Sequence, residues 1–258
     1  MGSVVRNSRL RLNQGQIFWR ETGQGEAIAF IHREYGDGSQ WLDFFESFGK
    51  DYHCFAPDLM GFGDSDPAAS PQSIQWQSEI LAAFCNHLNL KKIYLIGDSL
   101  GAWVAARHTL DYPDQIQGLI LLAPIGFETQ SKADYLFAKL LLLPVPILPW
   151  LLKILFPLGK LIGLGQQIQK ILNYRQQLLA SPASRRLLFQ RHASKIQAEY
   201  VGHDLSQITA PTLILSDNPK TDQARLYAQR VRQAQVITIE HQSEAIVLIR
   251  DWLQQQRS

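Results

Sequence analysis

Residues 95–103 read LIGDSLGAW, and they place one serine between two glycines in the order Gly97-Asp98-Ser99-Leu100-Gly101. The pattern G-x-S-x-G is short, so its flanks decide what it means. Before it runs KIYLIG (92–97), an apolar stretch of strand type, and after it GAWVAARHTLDYP, which has helical spacing and stops at Pro113. Ser99 therefore falls on a strand-to-helix junction, beside a helix N-terminus that favours developing negative charge. Two roles fit a serine there, an exposed nucleophile or a helix N-cap. Glycines on both sides favour the nucleophile, because they are what a turn this tight needs.

Outward from that junction the chain alternates. LRLNQGQIFWRETG reads as two short strands with a turn at Asn13–Gly15, and AIAFIH (27–32) as a strand buried on both faces. WLDFFESFG has helical spacing, YHCFAPDL (52–59) is a strand, MGFGDSDP a turn-rich loop, and 73–90 a helix. IQGLILLAP (116–124), ITAPTLILS (208–216) and QVITIE (235–240) are further strands, with helices expected around Asp222–Arg232 and over EAIVLIRDWLQQQ. Strands alternating with helices predict an α/β fold, a mostly parallel sheet covered on both faces. No strand is read between about 127 and 205. The predicted organisation is a core of residues 1–126 and 206–258 with a helical cap, 127–205, inserted over the carboxyl ends of the strands.

Composition narrows the function. Hydrophobic residues make up 46% and charged residues 19%, the balance of a globular chain, and a formal net charge of +2 without a basic block gives no ground for a nucleic-acid partner. Cys54 and Cys85 lie in apolar surroundings and are expected to be reduced core residues. MGSVVRNSRLRLNQGQ lacks the apolar core of a signal peptide, so the expected compartment is the cytoplasm. No Gly-rich phosphate loop or metal-ligand spacing appears, and no cofactor or metal is expected.

Residues 135–165, YLFAKLLLLPVPILPWLLKILFPLGKLIGLG, are the most apolar part of the chain, with Lys139, Lys153 and Lys160 as their charges. Prolines at 144, 146 and 149 break a run already too short to span a bilayer. The stretch is buried on its own sheet, covers something greasy, or rests on an anionic membrane surface.

Three motifs, GDSLGAW, FAPDLMGFGDSD (55–66) and IHREYGDGSQW (31–41), make the sequence similar to the α/β-hydrolase superfamily over nearly its whole length. The last two resemble that family's D-x-x-G-x-G-x-S loop and its H-G-x-x-G-S-x-x-W stretch. The resemblance implies acyl transfer by a Ser–His–acid triad, with Ser99 as nucleophile and a histidine after the last strand as base. His241 is the candidate there. Asp217 is the first candidate for the acid, and Asp222 and Glu128 remain open. Two backbone N–H groups would form the oxyanion hole, those of Leu100 and Glu34, each worth roughly 3 kcal/mol.

The sequence departs from the family pattern on one rim. Arg33 stands where the family has glycine, and Glu34 puts a carboxylate beside a site for negative charge unless Arg33 pairs with it. His32 is expected to organise this loop. The loops carrying His241 and Asp217 are short. Two functions are therefore open. One is a serine hydrolase cleaving a hydrophobic ester or related acyl bond. The other is a catalytically silent member of the fold that binds a hydrophobic ligand or a membrane surface.

Overall fold

A computed structural model of the 258-residue chain describes residues 4–68, 72–127, 140–142, 147–161, 163–216, 222–240 and 242–257. Eight strands form one sheet: β1 (Arg6–Leu12), β2 (Gly15–Thr22), β3 (Glu26–Ile31), β4 (Tyr52–Pro57), β5 (Ile93–Asp98), β6 (Ile116–Leu122), β7 (Thr212–Ser216) and β8 (Ala234–Thr238). Their spatial order is β1-β2-β4-β3-β5-β6-β7-β8. The β1–β2 hairpin and the β2–β4 pair are antiparallel, and every later pairing is parallel.

The central strands are apolar throughout because both sheet faces are covered. Alternate residues go to opposite sides. Ala29, Ile31, Leu95, Leu119, Leu121 and Ile214 pack beneath α2 (Ile74–His87) and α3 (Leu100–Asp111). Ile28, Phe30, Tyr94, Ile96, Ile120 and Leu213 meet α1 (Leu42–Phe48) and the closing helix Gln242–Arg257. Phe30 is ringed by Trp41, Phe44, Phe45 and Phe48, with centroids 5.2–6.3 Å away. Cys54 and Cys85 are free and buried, and burial pushes both thiols up to about 12.

Between β6 and β7 the described residues contain helices and no strand: Ile147–Leu161, Gly165–Ala180, Pro182–Leu188 and Ala193–Gln197, then a short 3-10 turn at Leu205–Gln207. Glu199 ties the end of this segment to the core. Its carbonyl accepts from Trp103 Nε1 at 3.0 Å, and its carboxylate accepts from the first amide of α2, Ile74, at 3.0 Å and pairs with Arg191. Tyr200 stacks on Trp103 with centroids 5.3 Å apart. Among the described residues, no helix is long and apolar enough to cross a membrane.

The topology also fixes where a ligand would go. The chain passes from β3 outward to β4, then returns to the other side of β3 as β5. At such a switch the segments leaving the two neighbouring strands diverge and leave a crevice at their carboxyl ends. Ser99 leaves β5 there, and His32-Arg33-Glu34 leaves β3.

Candidate active site

Ser99 has φ 53° and ψ −107°, in the left-handed region that a residue with a Cβ rarely enters. The turn is held by its backbone: Ser99 N–H donates to Leu122 O at 2.9 Å, and Ser99 O accepts from Ala102 and Trp103. The flanking glycines are required by contact. A Cβ on Gly97 would lie 2.3 Å from Gly101 O, and one on Gly101 would lie 2.2 Å from Ile31 O. The Ser99 side chain makes no capping hydrogen bond to α3. The N-cap role therefore fails as an account of this serine, and the strain has to be explained some other way.

The neighbouring loop is built around two buried groups. His32 donates from Nδ1 to Arg33 O at 2.7 Å and accepts at Nε2 from Leu59 N–H at 2.9 Å, which defines a neutral ring. Burial lowers its pKa below 6.5, against the opposing pull of the Arg33 carbonyl and nearby carboxylates. His32 thus organises the loop, as its position in the motif suggests. Asp58, fully buried, accepts from Arg20 at 3.0 Å, Gly38 N–H at 2.7 Å and Asp64 N–H at 2.8 Å. Ser65 bonds back to Asp58 O and accepts from Phe18 N–H. The DLMGFGDS segment is therefore a brace: it fixes the Gly38 turn, and with it the loop that faces Ser99.

Arg33 does not pair with Glu34. Its Nε and Nη2 donate to Asp98 Oδ2 at 2.8 and 2.6 Å, and Gln40 Nε2 donates to the same oxygen at 3.0 Å. Burial raises the Asp98 pKa above its usual value, and the Arg33 charge works against that rise. The charge on Glu34 is consequently left to other partners. Its carboxylate accepts from Leu100 N–H at 3.4 Å, and its carbonyl accepts from the hydroxyls of Ser181 and Ser184. Of the two residues assigned to the oxyanion hole, one thus places its side chain on the amide of the other.

His241, Asp217 and Glu128 lie outside the described residues, and of Asp222 the structure describes the backbone, at the start of the helix Asp222–Arg230. The described residues next to them are Ser216, which ends β7, and Glu240, just past β8. Both stand at the carboxyl edge of the sheet, as Ser99 does. Ser216 O accepts from Ile239 N–H at 3.0 Å, holding the two strand ends together.

Sequence reasoning missed several residues that shape the site: the Asp98–Arg33–Gln40 cluster, the hydroxyls of Ser181 and Ser184, and the Glu199 anchor. Asp98 carried a usable signal. A carboxylate at the end of an all-apolar strand needs a partner, and Arg33 was the cation out of pattern.

Comparison with known proteins agrees with this fold. A family model described as the alpha/beta hydrolase fold matches residues 26–196. The chain belongs to that family. It is similar to the 1-acylglycerol-3-phosphate O-acyltransferase ABHD5 of Rattus norvegicus, 31% identical over 136 residues, which cover 48% of this chain and 38% of the relative. The chain thus matches well under half the length of that curated relative. Among solved structures it resembles a thermophilic esterase from Thermogutta terrifontis, with TM-score 0.71, 23% identity, and coverage of 98% and 100% of the two chains. Haloalkane dehalogenase DbeA from Bradyrhizobium elkani USDA94 superposes with TM-score 0.73 at 18% identity over 98% and 99%. At these identities the structural likeness establishes the fold.

Proposed function

We propose that the protein is a serine hydrolase that cleaves a hydrophobic ester or related acyl bond through an acyl-enzyme on Ser99. The observation that carries this reading is the left-handed Ser99, strained and without a capping bond, at the switch between β3 and β5. Strain of this kind costs about 1–3 kcal/mol and persists where function requires it. In the reaction Ser99 Oγ attacks the acyl carbon while His241 takes its proton, with Asp217 orienting the imidazole. Leu100 N–H holds the oxyanion once the Glu34 carboxylate has moved off it. Collapse of the tetrahedral species expels the alcohol, which takes the proton from His241. Water then releases the acid by the same steps. The helical segment 127–205 acts as a cap over the acyl site. The similarity to a curated acyltransferase supports an acyl substrate.

A second reading has its own observation. Glu34 on the Leu100 amide is what a silent member of the fold, retained for binding a hydrophobic ligand, would tolerate. A fluorophosphonate probe and p-nitrophenyl esters of graded chain length separate the two. Hydrolysis predicts an adduct on Ser99 and a loss of about a thousandfold or more in both Ser99→Ala and His241→Ala. No adduct, with equal rates in all three proteins, establishes the silent reading.

A further inference from the structure

The helix Ile147–Leu161 turns a greasy face to solvent. Trp150, Leu151, Ile154, Leu155 and Leu158 are all exposed, by 66, 48, 52, 40 and 59%. Their spacing puts them on one side of the helix. Pro149, Leu152 and Phe156 form the opposite, better-buried side, which faces the chain. Lys153 and Lys160 are exposed too, the latter's ammonium lying 5.0 Å from the Phe156 ring centroid. A contiguous apolar face of this kind on a folded chain calls for an occupant.

Charge says what the occupant is. Residues 135–198 hold nine of the chain's 25 Lys and Arg and none of its 23 Asp and Glu. A chain of net +2 is therefore strongly polarised, with its positive charge gathered in the segment that bears the exposed apolar helix. A second copy of the chain would set these cations against each other. Exposed apolar side chains on a positively charged segment are what an interfacial helix needs to enter the headgroup region of an anionic bilayer.

We propose that the face formed by Trp150, Leu151, Ile154, Leu155 and Leu158 docks on an anionic lipid bilayer, lying in its surface without crossing it. The net positive charge of residues 135–198, Lys153 and Lys160 included, draws the protein to the anionic surface. The proposal concerns binding alone and stands whether or not Ser99 is a nucleophile.

Sedimentation with phosphatidylcholine vesicles, with and without phosphatidylglycerol, tests it. The 258-residue chain is expected to pellet with the anionic vesicles, to stay largely in the supernatant with the neutral ones, and to be released by salt. Lys153→Gln and Lys160→Gln should each weaken partition about fivefold, as neutralising one surface cation does. Leu151→Asp/Leu158→Asp should abolish pelleting while the circular dichroism spectrum and the thermal melt stay unchanged, since both positions are solvent-facing. Wild type remaining in the supernatant with both vesicle types at low salt overturns the proposal. So does a double aspartate variant that pellets like wild type, or one whose single effect is to convert a dimer to a monomer.

Discussion

The Glu34 carboxylate accepts a hydrogen bond from the Leu100 amide at 3.4 Å. The amide that follows the strained serine therefore already has an anion on it. At that length the bond is weak and displaceable, but an oxyanion forming there would first have to drive the carboxylate away. Glu34→Ala is expected to raise kcat on p-nitrophenyl butyrate about tenfold, a barrier lowered by roughly 1.4 kcal/mol. Glu34→Gln, which keeps the shape and removes the charge, should fall between Ala and wild type. If both substitutions instead abolish turnover, the carboxylate takes part in the reaction and does not obstruct it.

Ser99→Gly should separate stability from chemistry. Glycine occupies φ 53° without the clash a Cβ brings, so the variant is expected to be inactive yet to gain about 1 kcal/mol, near 2–4 °C in Tm for a chain of this size. Calorimetry on Ser99→Gly and Ser99→Ala checks this. The alanine keeps the strain and should melt close to wild type. Equal melting of glycine and alanine variants would mean that the turn stores no strain.

Much of this was legible beforehand, and the reasons are specific. KIYLIG and AIAFIH read as buried strands because both of their faces are covered, and they are β5 and β3 shifted by one residue. The pattern around Ser99 was legible because both glycines answer to a backbone contact that no other residue survives. The wiring across the site was not. Arg33 lies 65 residues from Asp98 in sequence, and nothing local tells a guanidinium to choose that carboxylate over the adjacent Glu34. Strand order, which puts the ends of β3 and β5 side by side, makes the choice.

Arg33→Ala should expose what that pairing does. The Asp98 side chain is 2% exposed, and without Arg33 it keeps only the Gln40 amide of the three hydrogen bonds described here. Removing one partner of a buried pair costs about 3 kcal/mol or more, and the half-exposed position of Arg33 puts this case at the low end. Burial already raises the Asp98 pKa, so the folded state holds that proton more tightly than the unfolded one. The stability linked to it is present below the ordinary value of 3.8 and is lost as pH rises through the folded pKa. Losing Arg33 enlarges the shift, so the deficit of the variant should be greater at neutral pH than near pH 4. Urea titration at both pH values measures it, and Arg33→Ala/Asp98→Asn should recover most of the loss. No recovery would mean that the arginine acts through packing.

His32 gives the fold an acid limit. Both ring nitrogens are engaged in the neutral form, and a proton on Nε2 would point at the Leu59 N–H that now donates to it. Burial holds the folded pKa below 6.5. Between that folded value and 6.5 the unfolded chain binds more protons than the native one, so stability rises with pH across the window. The stability is complete above 6.5 and is lost as pH falls toward the folded pKa. Thermal melting at one pH above 6.5 and one below it should therefore show a drop on acidification. His32→Gln, which can still donate to Arg33 O and accept from Leu59 N–H, should lessen the drop without abolishing it. His108 accounts for the remainder: it is buried between Ser78 and Gln115, and burial lowers its pKa in the same direction. An unchanged slope in the glutamine variant would transfer the acid limit to groups other than His32.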